Sequence, residues 1–224
     1  MYKAVLFDLD GTLCNTIDDI TKAVNYMLSA CNYPLRTHDD ILGAISFGRR
    51  EFLRRLLPAQ VGEDEERLSH ALVLYTSYYK DHYMDTTHPY PGMVELIEYL
   101  KSCGILTAVV TNKVHHNAVY MVETLFPQNA FDGIWGLSEF PPKPDPTIAL
   151  HAAESLGVSP DECLFVGDSE LDMLTAHNAG MHAVGVAWGY RPTSVLLESG
   201  ASHIVNTAAE LKELALNVDL KTAV

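Results

Sequence analysis

Two acids, Asp8 and Asp10, stand two residues apart at the end of the apolar run Ala4-Val5-Leu6-Phe7, and a Gly11-Thr12 turn follows them. Alternation along a strand points both carboxylates the same way. Like charges that close repel, so folding alone gives no reason to keep them; a bound cation or a chemical task does. Three more polar clusters follow apolar stretches or lie in the loops beyond them: Thr111-Asn112, Lys143 within Pro141-Pro142-Lys143-Pro144-Asp145-Pro146, and Asp168 with Asp172. Carboxylates in that number favour a hard divalent cation with oxygen ligands, and in a cytosol that is Mg²⁺. The space beside such a cation suits a phosphoryl group. The cation and Lys143 would neutralise its oxygens, and Thr111 and Asn112 would donate hydrogen bonds. Phosphoryl transfer demands chiefly positioning and charge neutralisation.

The elements that must position these side chains read as alternating strands and helices. Apolar runs at Ile105–Val110, Phe131–Leu137, Cys163–Val166, Ala183–Val186 and His203–Val205 join the first strand. Amphipathic helices lie between them at Met93–Ser102, Pro146–Leu156 and Leu171–Ala179, each with a glycine at or just past its end. This alternation implies an α/β fold with a doubly wound, Rossmann-like parallel sheet, whose ligands bind outside the carboxyl ends of the strands. One stretch breaks the pattern. From Cys14 to Thr87 the apolar residues keep helical spacing: Ile17, Ile20, Val24, Met27 and Leu28, then Phe52, Leu53, Leu56 and Leu57, then Leu68, Leu72, Tyr75, Tyr78 and Tyr79. An insert of roughly 70 residues is too long for a crossover loop. We expect an all-helical cap domain at 14–87 and an α/β core domain at 1–13 and 88–224. Leaving the sheet directly after Asp10, the insert is expected to act as a lid.

Composition bounds the partners. The chain has 224 residues, 48% of them hydrophobic, and no run long enough to span a membrane. Its first residues lead straight into a strand, so no secretory signal is expected. Cys14, Cys31, Cys103 and Cys163 lack metal-ligand spacing, which suits free thiols in the cytoplasm. A formal net charge of −14 argues against nucleic acid or an anionic membrane. An anionic substrate must then be met by local positive groups. Oligomeric state, monomer or homodimer, is not encoded legibly.

Asp8-Leu9-Asp10-Gly11-Thr12, Thr111-Asn112, Lys143-Pro144 and Gly167-Asp168-Ser169-Glu170-Leu171-Asp172 together resemble the four motifs of the haloacid dehalogenase superfamily. With the helical insert, the resemblance points to its phosphoglycolate phosphatase and β-phosphoglucomutase branch. It implies that Asp8 is the nucleophile, forming an aspartyl-phosphate, and that Asp10 is the acid and then the base. It implies that Asp8, the Asp10 backbone carbonyl and Asp168 bind Mg²⁺, and that Thr111, Asn112 and Lys143 hold the phosphoryl group. Asp172, Gly11 and Ser169 would support the site. The expected activity is hydrolysis of a small phosphorylated metabolite, a phosphoglycolate-like phosphomonoester. The alternatives are a β-phosphoglucomutase-like mutase and a catalytically silent phosphate-binding scaffold.

Simpler readings compete with some of these assignments. Asp10-Gly11 is a frequent turn pair, and Ser169-x-x-Asp172 fits a helix capping box as well as site support. His115-His116 lacks a third ligand and suits a helix surface. Arg49, with Arg50, Arg54 and Arg55, belongs to a run that reads mostly as a solvated face. Yet Gly43–Arg50 holds two glycines and suits a cap loop, from which Arg49 could clamp a substrate carboxylate or second phosphate. The motif is followed by Cys14-Asn15-Thr16, where related enzymes often carry Val-Asp-Ser. Dehalogenation at carbon needs no second acid, so Asp10 argues against it. The cap lysines Lys22 and Lys80 lie outside Gly43–Arg50, which argues against a Schiff-base phosphonatase.

Overall fold

A computed structural model of the chain describes residues 2–45, 48–138 and 140–216. It divides into two compact units, one of residues 1–14 and 89–224 and the other of residues 15–88. The first unit begins with β1 (Ala4–Phe7), every side chain of which is buried. An all-apolar strand of this kind belongs in the middle of a parallel sheet covered on both faces. The chain then crosses through β2 (Cys14–Asn15) into the helical unit and returns through β3 (His88–Pro89), two short segments that pair with each other. Neither has the length to show a period of two, and neither is expected from the sequence.

The helical unit contains α1 (Ile17–Ala30), α2 (His38–Ala44), α3 (Gly48–Leu56), α4 (Ala59–Gly62) and α5 (Glu65–His82). The spaced apolar positions of the sequence form its interior: Val24, Met27, Leu28, Leu53, Leu56 and Leu68 are buried together. Thr37 and Asp40 close a capping box on α2, and Asp64 accepts from the Glu66 and Arg67 N–H groups at the start of α5. A buried acid ties the unit's end to its beginning. Asp19 of α1 accepts hydrogen bonds from the backbone N–H and hydroxyl groups of both Thr86 and Thr87, at 2.5–3.2 Å. Gly43 lies within α2 and Arg49 in the first turn of α3, so Arg49 projects from a helix where a loop was expected. Ser46 and Phe47 of that stretch lie outside the described residues.

In the α/β unit the chain continues as α6 (Met93–Ser102), β4 (Leu106–Val114), α7 (His115–Leu125), β5 (Gly133–Leu137), α8 (Thr147–Leu156), β6 (Cys163–Gly167), α9 (Glu170–Ala179), β7 (His182–Val186), α10 (Thr193–Glu198), β8 (His203–Val205) and α11 (Ala208–Leu216). The six strands form one parallel sheet in the order β5-β4-β1-β6-β7-β8. The chain runs from β1 outward to β4 and β5, then crosses back to β6 on the other side of β1, which makes the carboxyl end of β1 the switch point where a crevice must open. Ala4, Leu6, Ala108, Val110 and Phe165 pack on one face against Ile148, Ala152 and Met173 of α8 and α9. β4 runs further than expected, through Thr111, Asn112 and Lys113, with a register shift against β5 between Val110 and Val114. Its polar tail escapes a reading that ends strands where apolar residues stop. No helix among the described residues is long and apolar enough to cross a membrane.

Candidate active site

β1 pairs with β4 and β6 in a register that sets Phe7 level with Val109 and Val166. The Asp8 N–H continues the ladder to the Val166 carbonyl at 2.9 Å, so Asp8 emerges at the strand end beside Gly167 and Asp168. The chain then folds back tightly, with the Leu13 and Cys14 N–H groups donating to Leu9 O and the Gly11 N–H to Cys14 O, at 2.9–3.1 Å. Gly11 adopts φ +87°, and a Cβ there would lie 2.3 Å from Asp168 Oδ2. Only glycine permits that conformation and that approach.

A buried lysine joins two of the acids. Lys143 Nζ is 2.8 Å from Asp8 Oδ1 and 2.6 Å from Asp172 Oδ1. Asp172 divides its oxygens, because Oδ2 accepts from Ser169 N–H at 3.0 Å and Ser169 Oγ at 2.6 Å. Capping and site support are therefore one arrangement. The side chain of Asn112, expected to donate to a phosphoryl group, grips the main chain of Lys143. The Lys143 N–H donates to Oδ1 at 2.8 Å, and Nδ2 donates to the Lys143 carbonyl at 3.2 Å. Thr111 is buried and accepts from the Lys113 N–H at 3.2 Å.

Asp168 is held from two directions that motif spacing does not reveal. Thr12 Oγ1 donates to Oδ1 at 2.9 Å, and the Tyr190 N–H donates to Oδ2 at 2.8 Å. Trp188 Nε1 donates to the Thr12 carbonyl at 3.0 Å, fastening the loop after β7 to the loop after β1. A Cβ on Gly189 would fall 2.1 Å from Asp168 Cβ, so this loop passes the acid at a distance only glycine allows. A second lysine was also missed. Lys113 Nζ lies 3.0 Å and 3.2 Å from the two carboxylate oxygens of Asp10. The available cue was a lysine two residues past Thr111, on the same side of an extended strand.

Burial pushes the Asp8 carboxyl up to about 6, helped by Asp172 and resisted by the Lys143 ammonium. Asp168 stands well above the usual carboxylate range, first through burial and then through the charges of Asp172 and Asp8. Burial pulls Lys143 down, but Asp172 and Asp8 outweigh it and its pKa is raised. Carboxylate oxygens of Asp8, Asp168 and Asp172 approach within 4.8 Å of one another. Four carboxylates against two ammonium groups leave a formal charge of −2. A hard divalent cation fits this oxygen donor set, and its charge would favour the ionised forms of Asp8 and Asp168 that burial and mutual repulsion disfavour.

Paired acids, a buried lysine and an anion-rich corner at the switch point of a parallel sheet define a hydrolase of the phosphatase class. The chain belongs to the haloacid dehalogenase-like hydrolase family, whose model matches residues 5–186. It is 32% identical over 213 residues to phosphoglycolate phosphatase 1 of Pseudomonas aeruginosa, covering 93% of this chain and 78% of that one. With the phosphoglycolate phosphatase of Neisseria meningitidis it shares 33% identity, covering 94% and 92% of the two chains. Among solved structures, a protein of Lactobacillus delbrueckii subsp. bulgaricus with a proposed phosphoglycolate phosphatase activity superposes with a TM-score of 0.91. That pair is 33% identical, over 96% of this chain and 99% of the other. A haloacid dehalogenase-like family protein of Streptococcus pneumoniae gives a TM-score of 0.86 at 25% identity, over 95% and 98% of the two chains.

Proposed function

We propose that the protein is a Mg²⁺-dependent phosphatase that hydrolyses a small phosphomonoester of the phosphoglycolate type through an aspartyl-phosphate on Asp8. The observation that carries this reading is the seating of Asp8 at the end of β1, in contact with Lys143 and grouped with Asp168 and Asp172. The relatives named phosphoglycolate phosphatase support the substrate class. Asp8 Oδ attacks phosphorus, the bond to the leaving oxygen breaks, and that oxygen takes a proton from Asp10. Asp10, now a carboxylate, accepts a proton from water as the water attacks phosphorus, which frees Asp8 and inorganic phosphate. Lys143 and Thr111 hold the phosphoryl oxygens, and Asn112 acts by fixing the Lys143 main chain. Asp8, the Asp10 carbonyl and Asp168 would hold Mg²⁺, which supplies charge neutralisation when bound. Gly11, Ser169 and Asp172 shape and support that set.

We assign catalysis to 1–13 and 88–224 and specificity to the helical domain at 14–87. Within α3, Arg50 and Arg54 pair with Glu65, and Arg54 and Arg55 pair with Glu51. Arg49 is exposed and makes no ion pair among the described residues, which supports it as the contact for a substrate carboxylate. Phosphate release from a panel of esters, with and without Mg²⁺, tests the reading. Metal-dependent release concentrated on phosphoglycolate is expected, and release from no ester under either condition rejects it. Arg49→Ala should raise KM for phosphoglycolate about tenfold or more while leaving KM for an uncharged-tail ester unchanged.

A further inference from the structure

We propose that Lys113 is a positioning residue for Asp10, holding its carboxyl where it meets the leaving oxygen. The inference rests on the acid–base role given to Asp10 above and adds a residue which that reading does not contain. The two lysines at the site reach different acids. Lys143 reaches Asp8 and Asp172, whereas Lys113 meets both oxygens of Asp10, at 3.0 Å and 3.2 Å. Contact with both oxygens holds the carboxylate at a set distance, with its two oxygens turned toward the ammonium. The Lys113 side chain is only 5% exposed, against 23% for Asp10, so the buried partner acts as the anchor and the more open acid faces the reactants. Lysine is almost never buried unless paired.

The anchor is itself placed by the backbone. Lys113 lies on the irregular tail of β4, between the register points Val110 and Val114, and its N–H is bound to Thr111 Oγ1. The same strand therefore delivers Thr111 to the phosphoryl group and Lys113 to the acid. As the phosphorus–oxygen bond breaks, Asp10 gives its proton to the leaving oxygen and becomes an anion near the phosphorylated Asp8. Lys113 neutralises that anion and keeps it in place to take the proton of the attacking water. Without the ammonium, repulsion from the neighbouring acids would turn Asp10 away.

Leaving-group dependence distinguishes positioning of a proton donor from a general structural role. Lys113→Met and Lys113→Arg are compared with wild type on phosphoglycolate, whose alkoxide must be protonated, and on p-nitrophenyl phosphate, whose phenolate need not be. The readout is leaving-group release in a single turnover. Lys113→Met should slow release from phosphoglycolate about 100-fold, with KM little changed and release from the nitrophenyl ester within about threefold of wild type. Lys113→Arg should recover part of the loss. In an Asp10→Asn background, which also relieves any folding defect from an unpaired buried charge, Lys113→Met should cost nothing further. Equal losses on both esters, a change confined to KM, or an additive double variant would overturn the proposal. Wild-type protein that cleaves neither ester would instead reject the phosphatase reading beneath it.

Discussion

Asp8 carries a conflict between folding and chemistry. Burial and Asp172 push its carboxyl up to about 6, although Lys143 opposes them. An acid whose folded pKa lies above its ordinary value binds its proton more tightly in the folded state. In the metal-free protein it therefore costs stability at neutral pH, on the order of 3 kcal/mol. Asp8→Asn should abolish phosphate release, by at least about 10³-fold, and raise the metal-free thermal midpoint by a few degrees. Loss of turnover with no gain in midpoint would show that the acid is not strained; normal turnover would remove it from the mechanism. Asp8, Asp10, Lys143 and Asp168 could be singled out in the sequence because unpaired polar residues at strand ends have no folding rationale. Lys113 could not. Its partner is 103 positions away, and nothing in Thr111-Asn112-Lys113 distinguishes an anchoring ammonium from a solvated one.

At the scale of elements, α6, α8 and α9 were legible from their apolar residues and the glycines that follow them. What escaped was structure stabilised by distant partners. The polar tail of β4 stays in the sheet because pairing with β5 resumes beyond it at Val114, and β2 and β3 are two-residue strands that pair with each other. Asp19 is a similar case within the helical unit, an acid on a buried helix face held by nearby Lys22 and, above all, by the threonines 67 and 68 residues later. Burial tends to raise Asp19, but the hydrogen bonds from Thr86 and Thr87 outweigh it, and the pKa is lowered. A lowered folded pKa means that the stabilisation is complete above the ordinary value of about 4 and is lost as pH falls through the folded value. Asp19→Asn should cost about 1–3 kcal/mol at pH 7. Chemical denaturation should show the gap to wild type closing as pH falls below the ordinary carboxylate value of about 4. A gap that stays constant with pH would mean that the charge of Asp19 is not what stabilises the unit.

Over the whole molecule, a net charge of −14 meets a candidate site that is itself anionic. A cation held there must stabilise the folded chain, since the unfolded chain has no such cluster. At Mg²⁺ one hundred times its dissociation constant the gain is about 2.7 kcal/mol, a rise of several degrees in thermal midpoint that chelation should reverse. Asp168→Ala should remove most of that rise. A midpoint indifferent to Mg²⁺ would argue against a metal on these acids.

The succession of the main strands and helices along the chain, the interruption by a helical stretch and the four polar clusters are determined by the sequence alone. They follow from local period, from turn chemistry, and from acids that no fold would retain without use. The tertiary structure decided which groups share a partner: Asn112 on the Lys143 backbone, Trp188 and Tyr190 around Asp168, and Lys113 on Asp10. The physical reason is range. Hydrophobic period and capping act over a few residues and leave a mark on the chain, whereas an ion pair or a hydrogen bond depends on where two distant backbones come to rest.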